Sequence, residues 1–445
     1  MTSDNLLTPA IVCAERIALL HLLHSVPTLP SSNPIDNLPF HQQGYTLPFT
    51  RERDLVSTLA FLSNTKDDPN HIPALCVKEN PESSSLSVLL AVNRVNWKDG
   101  DRVLEELKQK FEKIFGILSS ISSEGDQNFE DEIFTAIISM CSLRILCRLR
   151  FVANNWKKPK QPIKELLQET VRSLAELGNK TLGNHIPVAT LFVERAKTVI
   201  KLADMWTKHQ KPARLKALVE GVYHLGQIGE LQALINTIPN RAMCPSSRTN
   251  LLNIVKKVAR YREAARFLYR TAKRFWVVRK MKVILVNLPK EAFPQIPIDK
   301  YTRTLASTVA RINAIDLPRD LDRICRLMNI TEVQANDQFV NQTNRTLKEA
   351  KIHAEIQLVF FCELDASKLQ PRVICSSKDA CFLCNAFIRM HGKMHMPRHH
   401  GRLYPGWRLP LFPMLNDLEQ RFNSVLGHML SNSLITLFSR HQKTV

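Results

Sequence analysis

The sequence predicts a protein of the α+β class, with a large, mainly helical N-terminal region and a C-terminal α/β/α domain. Glycine is scarce, at 13 of 445 residues, and apolar residues recur at helical spacing along most of the chain. A short β-branched run at 282–286 then begins a stretch in which strands alternate with helices. A chain of this length exceeds one ordinary core, so two or three domains are expected.

The N-terminal region reads as a series of amphipathic helices separated by polar or proline-containing connections. Prolines interrupt the chain at 27–50 and again at 69–81. The apolar run 86–92 fits a strand or a buried helix equally, because it is too short for periodicity to decide. No fixed-period repeat is present, which favours an irregular bundle. The predicted helices cover 9–26, 51–63, 99–118, 130–151, 163–177, 187–208, 212–225 and 228–237.

The most basic stretch of the chain follows at 249–282. Between residues 256 and 282 it carries eleven Lys or Arg and one acid, interleaved with aromatic residues. A basic helix with aromatics can follow a phosphate backbone while its rings stack on bases. Alternatively, the aromatics form the buried stripe and the cations the solvated face. We expect the second arrangement for the aromatics, and a surface that contacts nucleic acid formed by Arg266, Arg270 and Arg274.

The predicted domain boundary lies near residues 275–280, where the strand at 282–286 replaces the helical pattern. We therefore expect a helical region over 1–275 and a second domain over 276–445. Within the second domain the patterns predict helices over 299–313 and 318–328, a strand at 372–375 and a closing helix over 416–440.

Charge and cysteine content restrict the partners and the compartment. The formal net charge is +20 and the pI is about 9.6. This balance indicates acidic partners, single-stranded nucleic acid first, although excess cations can also be a solvated surface. No secretory signal and no membrane-length apolar run is seen, so no membrane partner is expected. Ten scattered cysteines do not suit a disulfide scaffold, and we expect a cytoplasmic or nuclear protein.

Two short motifs near the C-terminus carry the chemistry: His353-Ala354-Glu355, and Cys381 with Cys384 in a C-x-x-C pattern. His353 and Glu355 would lie on opposite faces within a helix, but in its first turn both can converge on a site beyond the helix end. Cys381 and Cys384 share one face of a helical turn, and a helix N-terminus favours thiolate over thiol. The local order of helix, strand and helix places both motifs at helix starts.

This residue set predicts a catalytic zinc site. One His and two Cys leave a position for water, and zinc lowers the pKa of such a water to ~7. His353, Cys381 and Cys384 are the expected ligands, and Glu355 the group that moves protons. The alternative is a zinc knuckle, or two core cysteines beside an unrelated histidine.

The motifs and their surroundings resemble the cytidine-deaminase-like zinc superfamily, and more narrowly its predominantly fungal OTT-like branch. The resemblance covers residues 350–411 and rests on three blocks: KIHAEIQLVFF, RVICSSKDACFLCNAFI and HHGRLYPGWRLP. It implies a cytidine-deaminase-like C-terminal domain and a nucleoside or nucleic-acid deaminase. In that domain His353, Cys381 and Cys384 hold zinc and Glu355 shuttles protons.

Two features depart from the wider superfamily. Ala380 stands where many members have proline before the first cysteine, which matches the branch. In addition, the usual two-stranded hairpin is not recognised close upstream of His353. We expect the strand at 282–286 to supply part of it, with the helices that follow as an insertion.

A histidine-rich segment follows the C-x-x-C motif, with His391, His395, His399 and His400. A second metal site is one interpretation, but no carboxylate or cysteine accompanies these residues at ligand spacing. We expect the segment to rim the active site, with His400, Tyr404 and Trp407 contacting substrate. Tyr404 and Trp407 could stack on a base, and for Trp407 a plain packing role is an equal alternative.

The sequence therefore predicts a zinc-dependent hydrolytic deaminase acting on a cytosine or adenine base, in nucleic acid. A deaminase of free nucleosides or nucleotides, and a catalytically silent zinc-binding interaction protein, remain alternatives. Pocket shape decides between cytosine and adenine, and between DNA and RNA, and the sequence does not reveal it.

Overall fold

The computed structural model describes residues 8–24, 26–35, 44–82, 84–121, 128–152, 161–293, 304–312, 319–365 and 369–440. It is 65% helical with a few small sheets, which confirms the predicted α+β class with a large helical region. Part of the predicted helix 299–313 and the start of the one at 318–328 lie outside the described residues.

Most of the predicted helices are present to within a few residues at their ends, whereas the helix over 332–349 was not predicted. The helices are α1 (Pro9–Leu23), α2 (Phe49–Ser63), α3 (Asp101–Ser119), α4 (Phe129–Leu149), α5 (Ile163–Leu182), α6 (Ile186–Lys208), α7 (Pro212–Gly226), α8 (Leu231–Asn236), α9 (Pro245–Arg274), α10 (Trp276–Arg279), α11 (Leu305–Ala310), α12 (Arg319–Met328), α13 (Glu332–Glu349), α14 (Ala354–Leu364), α15 (Phe382–His391) and α16 (Asn416–Arg440). The strands are β1 (Ser31–Ser32), β2 (Pro73–Asn80), β3 (Ser85–Val92), β4 (Met281–Leu285), β5 (Lys351–Ile352), β6 (Ile374–Ser376), β7 (Arg398–His399) and β8 (Trp407–Arg408).

The chain forms two compact units that differ from the predicted division at 275–280. The first unit combines Met1–Ser63, Asp68–Gln109 and Lys282–Val445, and the second contains Asn64–Asp67 and Lys110–Met281. The predicted boundary thus lies close to the end of the second unit. What the prediction did not include is that residues near the N-terminus pack with the C-terminal part. The physical reason is the sheet described next, whose strands come from both ends of the chain.

A four-stranded sheet with the order β4-β3-β2-β6 forms the centre of the first unit. Strands β2 and β3 form an antiparallel hairpin from the Pro73–Val92 pair to the Asn80–Ser85 pair. The run 86–92 is therefore a strand, and every residue of β3 is buried. Strand β6 pairs antiparallel with the other edge of β2. The hairpin expected upstream of His353 therefore exists, but it lies more than 250 residues earlier in the sequence.

Strand β4 lies beside β3, and the Val286 N–H donates to the Leu90 carbonyl at 2.9 Å. The expectation that the strand at 282–286 supplies part of the hairpin is wrong in detail, because β4 extends a hairpin that is already complete. The second unit thus occupies the sequence between two neighbouring strands of one sheet.

Helices cover the sheet of the first unit and bury its apolar residues. Helix α14 packs on β2 and β3, and α2 packs on β2 and β6. Helix α15 contacts both α14 and α16, and α1 packs between α13 and α16. One hydrophobic cluster includes residues of all these helices except α2, together with residues of β2, β3 and β6. The site motifs at 353–355 and 381–384 are part of this well-packed region.

The second unit is an irregular helical bundle built around α9. This 30-residue helix packs against α4 and α7, while α6 packs against α5 and α7. The Arg262 side chain lies 3.2 Å from Glu130 of α4 and 3.3 Å from Glu220 of α7. Some of the cations of the basic stretch therefore join helices to one another instead of facing solvent.

Among the described residues, no helix combines the length and the apolar character needed to cross a bilayer.

Candidate metal centre

His353 caps the N-terminus of α14 and has an extended backbone, with φ −68° and ψ 150°. Because Ala354 and Glu355 begin the helix, the imidazole and the Glu355 carboxylate both face the space beyond the helix end. The remainder of the helix is apolar and buried, so the core fixes the position of this polar end. The expected placement of the motif in a first helical turn is confirmed.

Cys381 and Cys384 occupy the start of α15 in the same way. Cys381 is the N-cap residue, and its Sγ accepts a hydrogen bond from the Cys384 backbone N–H at 3.4 Å. The preceding strand β6 and the turn at 377–380 carry the chain to this point. The positive end of the helix dipole therefore faces the cysteine sulfurs.

The two helix starts meet, and their donor atoms form one cluster. His353 Nδ1 lies 3.7 Å from Cys381 Sγ and 3.4 Å from Cys384 Sγ. The donor atoms of the three residues all lie within 4.8 Å of one another. Glu355 Oε2 lies 3.7 Å from Cys384 Sγ, so the carboxylate borders the cluster. This arrangement is compatible with binding of a metal ion by one imidazole and two thiolates.

The cluster has the electrostatic character of a ligand set. Burial raises the pKa of the Cys381 thiol, but the Cys384 hydrogen bonds and the His353 charge outweigh burial and hold this pKa well below its usual value. Burial and the neighbouring Cys381 raise the pKa of Cys384 well above its usual value.

Trp407 is completely buried and contacts the cluster directly. Its indole N–H donates to Cys384 Sγ at 3.3 Å, and its ring centroid lies 5.4 Å from that of Phe422. A ring enclosed in this way has no free face on which a base could stack. Of the two alternatives for Trp407, packing describes its position, with the addition of a hydrogen bond to a cluster sulfur that the sequence did not predict.

Two residues that hold the start of α14 were missed in the sequence. Asn93, directly after β3, accepts a hydrogen bond from the Ala354 N–H at 2.9 Å. Gln357 donates to the Val92 carbonyl at 2.6 Å and to the Ile352 carbonyl at 2.9 Å. Asn93 could have been found as a polar residue at the carboxyl end of a buried strand. That inference depends on recognising the run 86–92 as a strand.

The segment after the histidine-rich run lies beside the cysteine helix. The His400 N–H donates to the Ala380 carbonyl at 3.0 Å, and the Phe382 N–H donates to the Arg402 carbonyl at 2.9 Å. Gly401 between them has φ +70°, and a Cβ there would lie 1.8 Å from the Thr28 carbonyl oxygen. Only glycine fits this approach. The expected rim of the site is thus in place near Cys381.

His400 and Tyr404 contact each other on this rim, with ring centroids 5.3 Å apart in an edge-to-face arrangement. Tyr404 is 43% exposed. Burial lowers the pKa of His400, which the charge of Cys381 partly offsets. Tyr404 is therefore exposed and His400 partly so, in contrast to Trp407.

The other histidines have separate partners. His391 Nε2 lies 2.9 Å from Glu363, and His399 Nε2 lies 2.8 Å from the Ser31 hydroxyl. The ring of His395 packs edge-on against Phe49 at 5.8 Å. Among the described residues, His353, Cys381 and Cys384 form the one group with metal-ligand geometry. The alternative of a second metal site in the histidine-rich segment is therefore wrong.

The three arginines predicted to contact nucleic acid differ in exposure. Arg270 and Arg274 are exposed. Arg266 lies 3.4 Å from Glu130 and donates to the Tyr223 hydroxyl, so its guanidinium is engaged within the second unit. Of the aromatics, Tyr261 is fully buried as expected, but Trp276 is 45% exposed.

The starts of α14 and α15 thus bring a histidine, two cysteines and a glutamate together. A comparison with known families matches the segment that carries this cluster. Residues 352–411 match the family model described as OTT_1508_deam-like deaminase, which places this segment among the OTT-like deaminases, as the motifs predicted. No curated protein and no solved structure matches the chain significantly.

Proposed function

We propose that this protein is a zinc-dependent hydrolytic deaminase that acts on a cytosine or adenine base in nucleic acid. The observation that carries the proposal is the convergence of His353, Cys381 and Cys384, with the Glu355 carboxylate beside them and not among them. A structural zinc site would need a fourth protein ligand, and it would have no use for a carboxylate beside the ligands.

The distances within the cluster fit zinc. A tetrahedral zinc bound at ~2.0–2.1 Å to nitrogen and ~2.3 Å to sulfur holds these atoms about 3.6 Å apart. His353 Nδ1 lies 3.7 Å and 3.4 Å from the two sulfurs. The donor set of imidazole and thiolates suits zinc in preference to magnesium or calcium, which favour oxygen ligands. When bound, zinc would activate a water molecule for attack on the base.

Glu355 is the residue proposed to move protons. Its carboxylate is buried and borders the cluster, which is the position needed to receive a proton from the attacking water. Glu355 would pass this proton to the ring nitrogen as water adds, and would then carry the second proton, from the hydroxyl added to the base, to the departing amine. Water adds to C4 of cytosine or C6 of adenine, the C–N bond breaks, and ammonia leaves as the base gains a carbonyl.

The charge distribution supports a polymeric substrate. The second unit contains 31 Lys or Arg and 15 Asp or Glu, and so carries +16 of the formal net charge of +20. A unit of this charge attracts a phosphate backbone over distances of about a Debye length, ~8–10 Å at physiological salt. We propose single-stranded nucleic acid as its partner, with Arg270 and Arg274 among the contacts and Arg266 in a structural role. A cytoplasmic or nuclear location fits this partner.

We propose that Tyr404 and His400 contact the substrate at the rim, because both lie beside the start of α15 and Tyr404 is exposed. The predicted catalytic domain at 276–445 is extended in this proposal. It also requires 73–93, since that segment supplies the central hairpin and the Asn93 contact to α14.

Ammonia release from cytidine, adenosine, and single-stranded DNA and RNA containing each base tests the proposal, together with metal analysis of the purified protein. We expect one zinc per chain and release from a polymer. Glu355→Gln should keep the zinc and lower the rate by about 10²–10⁴-fold, because it removes the proton acceptor.

Glu363→Gln is the matched control, since Glu363 is on the same helix but pairs with His391 and Lys393. It should leave the rate unchanged. Release from free nucleosides alone would favour the nucleoside alternative, and a zinc-loaded protein silent on every substrate would refute the enzyme proposal.

A further inference from the structure

A second exposed aromatic residue, Trp97, lies in the loop after β3, which pairs with the segment directly before His353. Trp97 follows the end of β3 by five residues and is 41% exposed. The Lys98 ammonium lies 4.7 Å from the centroid of its ring. An exposed indole beside a cation is a combination that binds nucleic-acid bases by stacking and phosphates by charge.

The loop that carries Trp97 is attached to the segment directly before His353. The Arg94 N–H donates to the Ile352 carbonyl at 3.1 Å, and the Ile352 N–H donates to the Arg94 carbonyl at 2.8 Å. Trp97 is three positions after Arg94, which limits their Cα separation to ~11 Å. Trp97 is thus within reach of the neighbourhood of His353.

The loop is held rigidly. The Arg94 side chain is fully buried and donates to the Trp97 carbonyl and to Asn287 Oδ1, each at 2.7 Å. It also lies 2.9 Å from Asp101. Asp99 accepts from the Val95 N–H at 2.9 Å. The backbone around Trp97 is therefore fixed before any ligand binds, which reduces the entropy lost on binding.

The two-stranded sheet of β5 and β8 connects the loop of Trp97 to the loop of Tyr404. Strand β5 pairs with Arg94 on one side and with β8 on the other, and the Lys351 N–H donates to the Gly406 carbonyl at 2.9 Å. Tyr404 lies two residues before Gly406. Two exposed rings thus stand on the two loops that flank β5, with the exposed cations Lys98 and Arg402 beside them.

We propose that Trp97 stacks on a base next to the target base of a single-stranded nucleic acid, while Lys98 contacts the backbone phosphate of that nucleotide. This inference rests on the proposed function, and specifies how a polymer would be positioned at the same site. Stacking on an indole tolerates any base, so Trp97 contributes affinity and position, and not recognition of a particular neighbour.

The experiment measures binding of fluorescently labelled single-stranded nonamers with one central target base to the zinc-loaded full chain. Each nonamer is used intact and with an abasic site on the 5′ or the 3′ side of the target. Trp97→Ala should weaken binding of the intact strand about five- to hundredfold, and Trp97→Phe should restore most of it. Of the two abasic strands, the one that lacks the base stacked on Trp97 should bind wild type and Trp97→Ala equally. Lys98→Gln should reduce the salt dependence by about one unit of slope.

Trp276→Ala is the control, because Trp276 is similarly exposed and has Lys280 5.2 Å from its ring, but belongs to the second unit. Any loss it causes should be the same for intact and abasic strands.

Unchanged binding of the intact strand by Trp97→Ala, or a loss that does not depend on the neighbouring base, would overturn the inference. Absence of strand binding by the wild type would overturn it too. Because binding is measured without turnover, a protein that binds as expected but releases no ammonia would refute the proposed function alone.

Discussion

The indole N–H of Trp407 points at the sulfur of Cys384, 3.3 Å away, from within the apolar core. A hydrogen bond to a metal-ligand sulfur orients it and stabilises its negative charge. Trp407 therefore contributes to the cluster although it offers no metal ligand of its own. Through Trp407, the block at residues 400–411 thus contacts the cluster itself.

Trp407→Phe should weaken zinc binding about 10–100-fold, because the apolar ring is kept but the donor to Cys384 is lost. Competition with a chelator of known affinity measures the change. Phe422→Leu alters the packing of Trp407 without removing the donor, and should change zinc affinity much less. Equal effects of the two substitutions would show that packing, and not the hydrogen bond, is what matters.

Zinc should stabilise the folded protein, since the ligand atoms lie together only in the folded state. At a free zinc concentration about 1,000 times Kd the gain is about 4 kcal/mol, seen as a higher Tm. Cys384→Ser should abolish this gain. Cys375→Ser, which changes another buried free cysteine, should retain it. A zinc-dependent Tm that survives in Cys384→Ser would contradict the assigned ligand set.

Glu419 should make stability fall as the pH rises. It is buried beside a cavity of about 20 Å³, large enough for one water, which Cys13, Trp407 and Arg408 also line. Burial raises the pKa of its carboxyl from 4.5 to about 7. The folded state therefore binds the proton more tightly than the unfolded state does, and stability falls between pH 4.5 and 7 by up to roughly 3 kcal/mol.

Glu419→Gln should accordingly be more stable than wild type at pH 8, and the difference should shrink towards pH 5. Urea unfolding at the two pH values measures it. Asp417→Asn changes an exposed carboxyl on the same helix, and should show no such pH dependence. A pH-independent effect of Glu419→Gln would mean that the carboxyl stays ionised in the fold.

Arg270 and Arg274 should contribute to nucleic-acid binding, whereas Arg266 should contribute to folding. Replacing both exposed arginines by Glu should weaken binding of a long single strand and reduce the slope of log K against log salt by about one for each phosphate that is no longer neutralised. Arg266→Glu should instead lower the Tm, because it replaces the cation that lies 3.4 Å from Glu130 by a negative charge. Lys201→Glu, an exposed cation on α6, is the control. Unaltered binding and salt slope in the double variant would remove this surface from the proposal.

The helix starts at His353 and Cys381 could be predicted because each motif lies within a few residues of the apolar run that buries its helix. The α+β class of the fold could be predicted for the same reason, because local apolar patterns mark most of the helices. Asn93 could not be placed, because its partner Ala354 is 261 residues away and nothing local marks the pair. The sequence does not distinguish strand from helix at 86–92 because the run is too short to show a periodicity; in the structure it is a strand in which every residue is buried.

The sequence also could not show which charged residues of the second unit are exposed and which pair with an acid of another helix. Arg262 and Arg266 belong to the same basic stretch as Arg270 and Arg274, with the same local composition. They differ because Glu130 lies opposite the first two when α4 packs on α9. Which cations are free for a ligand is thus decided by tertiary contacts between helices.

The interrupted sheet has a consequence for biosynthesis. Strands β2 and β3 leave the ribosome early, but the helix that Asn93 caps is made only after some 260 further residues. At a synthesis rate of ~5–20 residues per second, about 13–50 s pass between synthesis of the hairpin and synthesis of α14. The all-helical bundle encoded between them is rich in short-range contacts and can fold during this time. Binding of a metal ion by the cluster would then be among the last events of folding, and a chain truncated before residue 384 would lack one of its three donor residues.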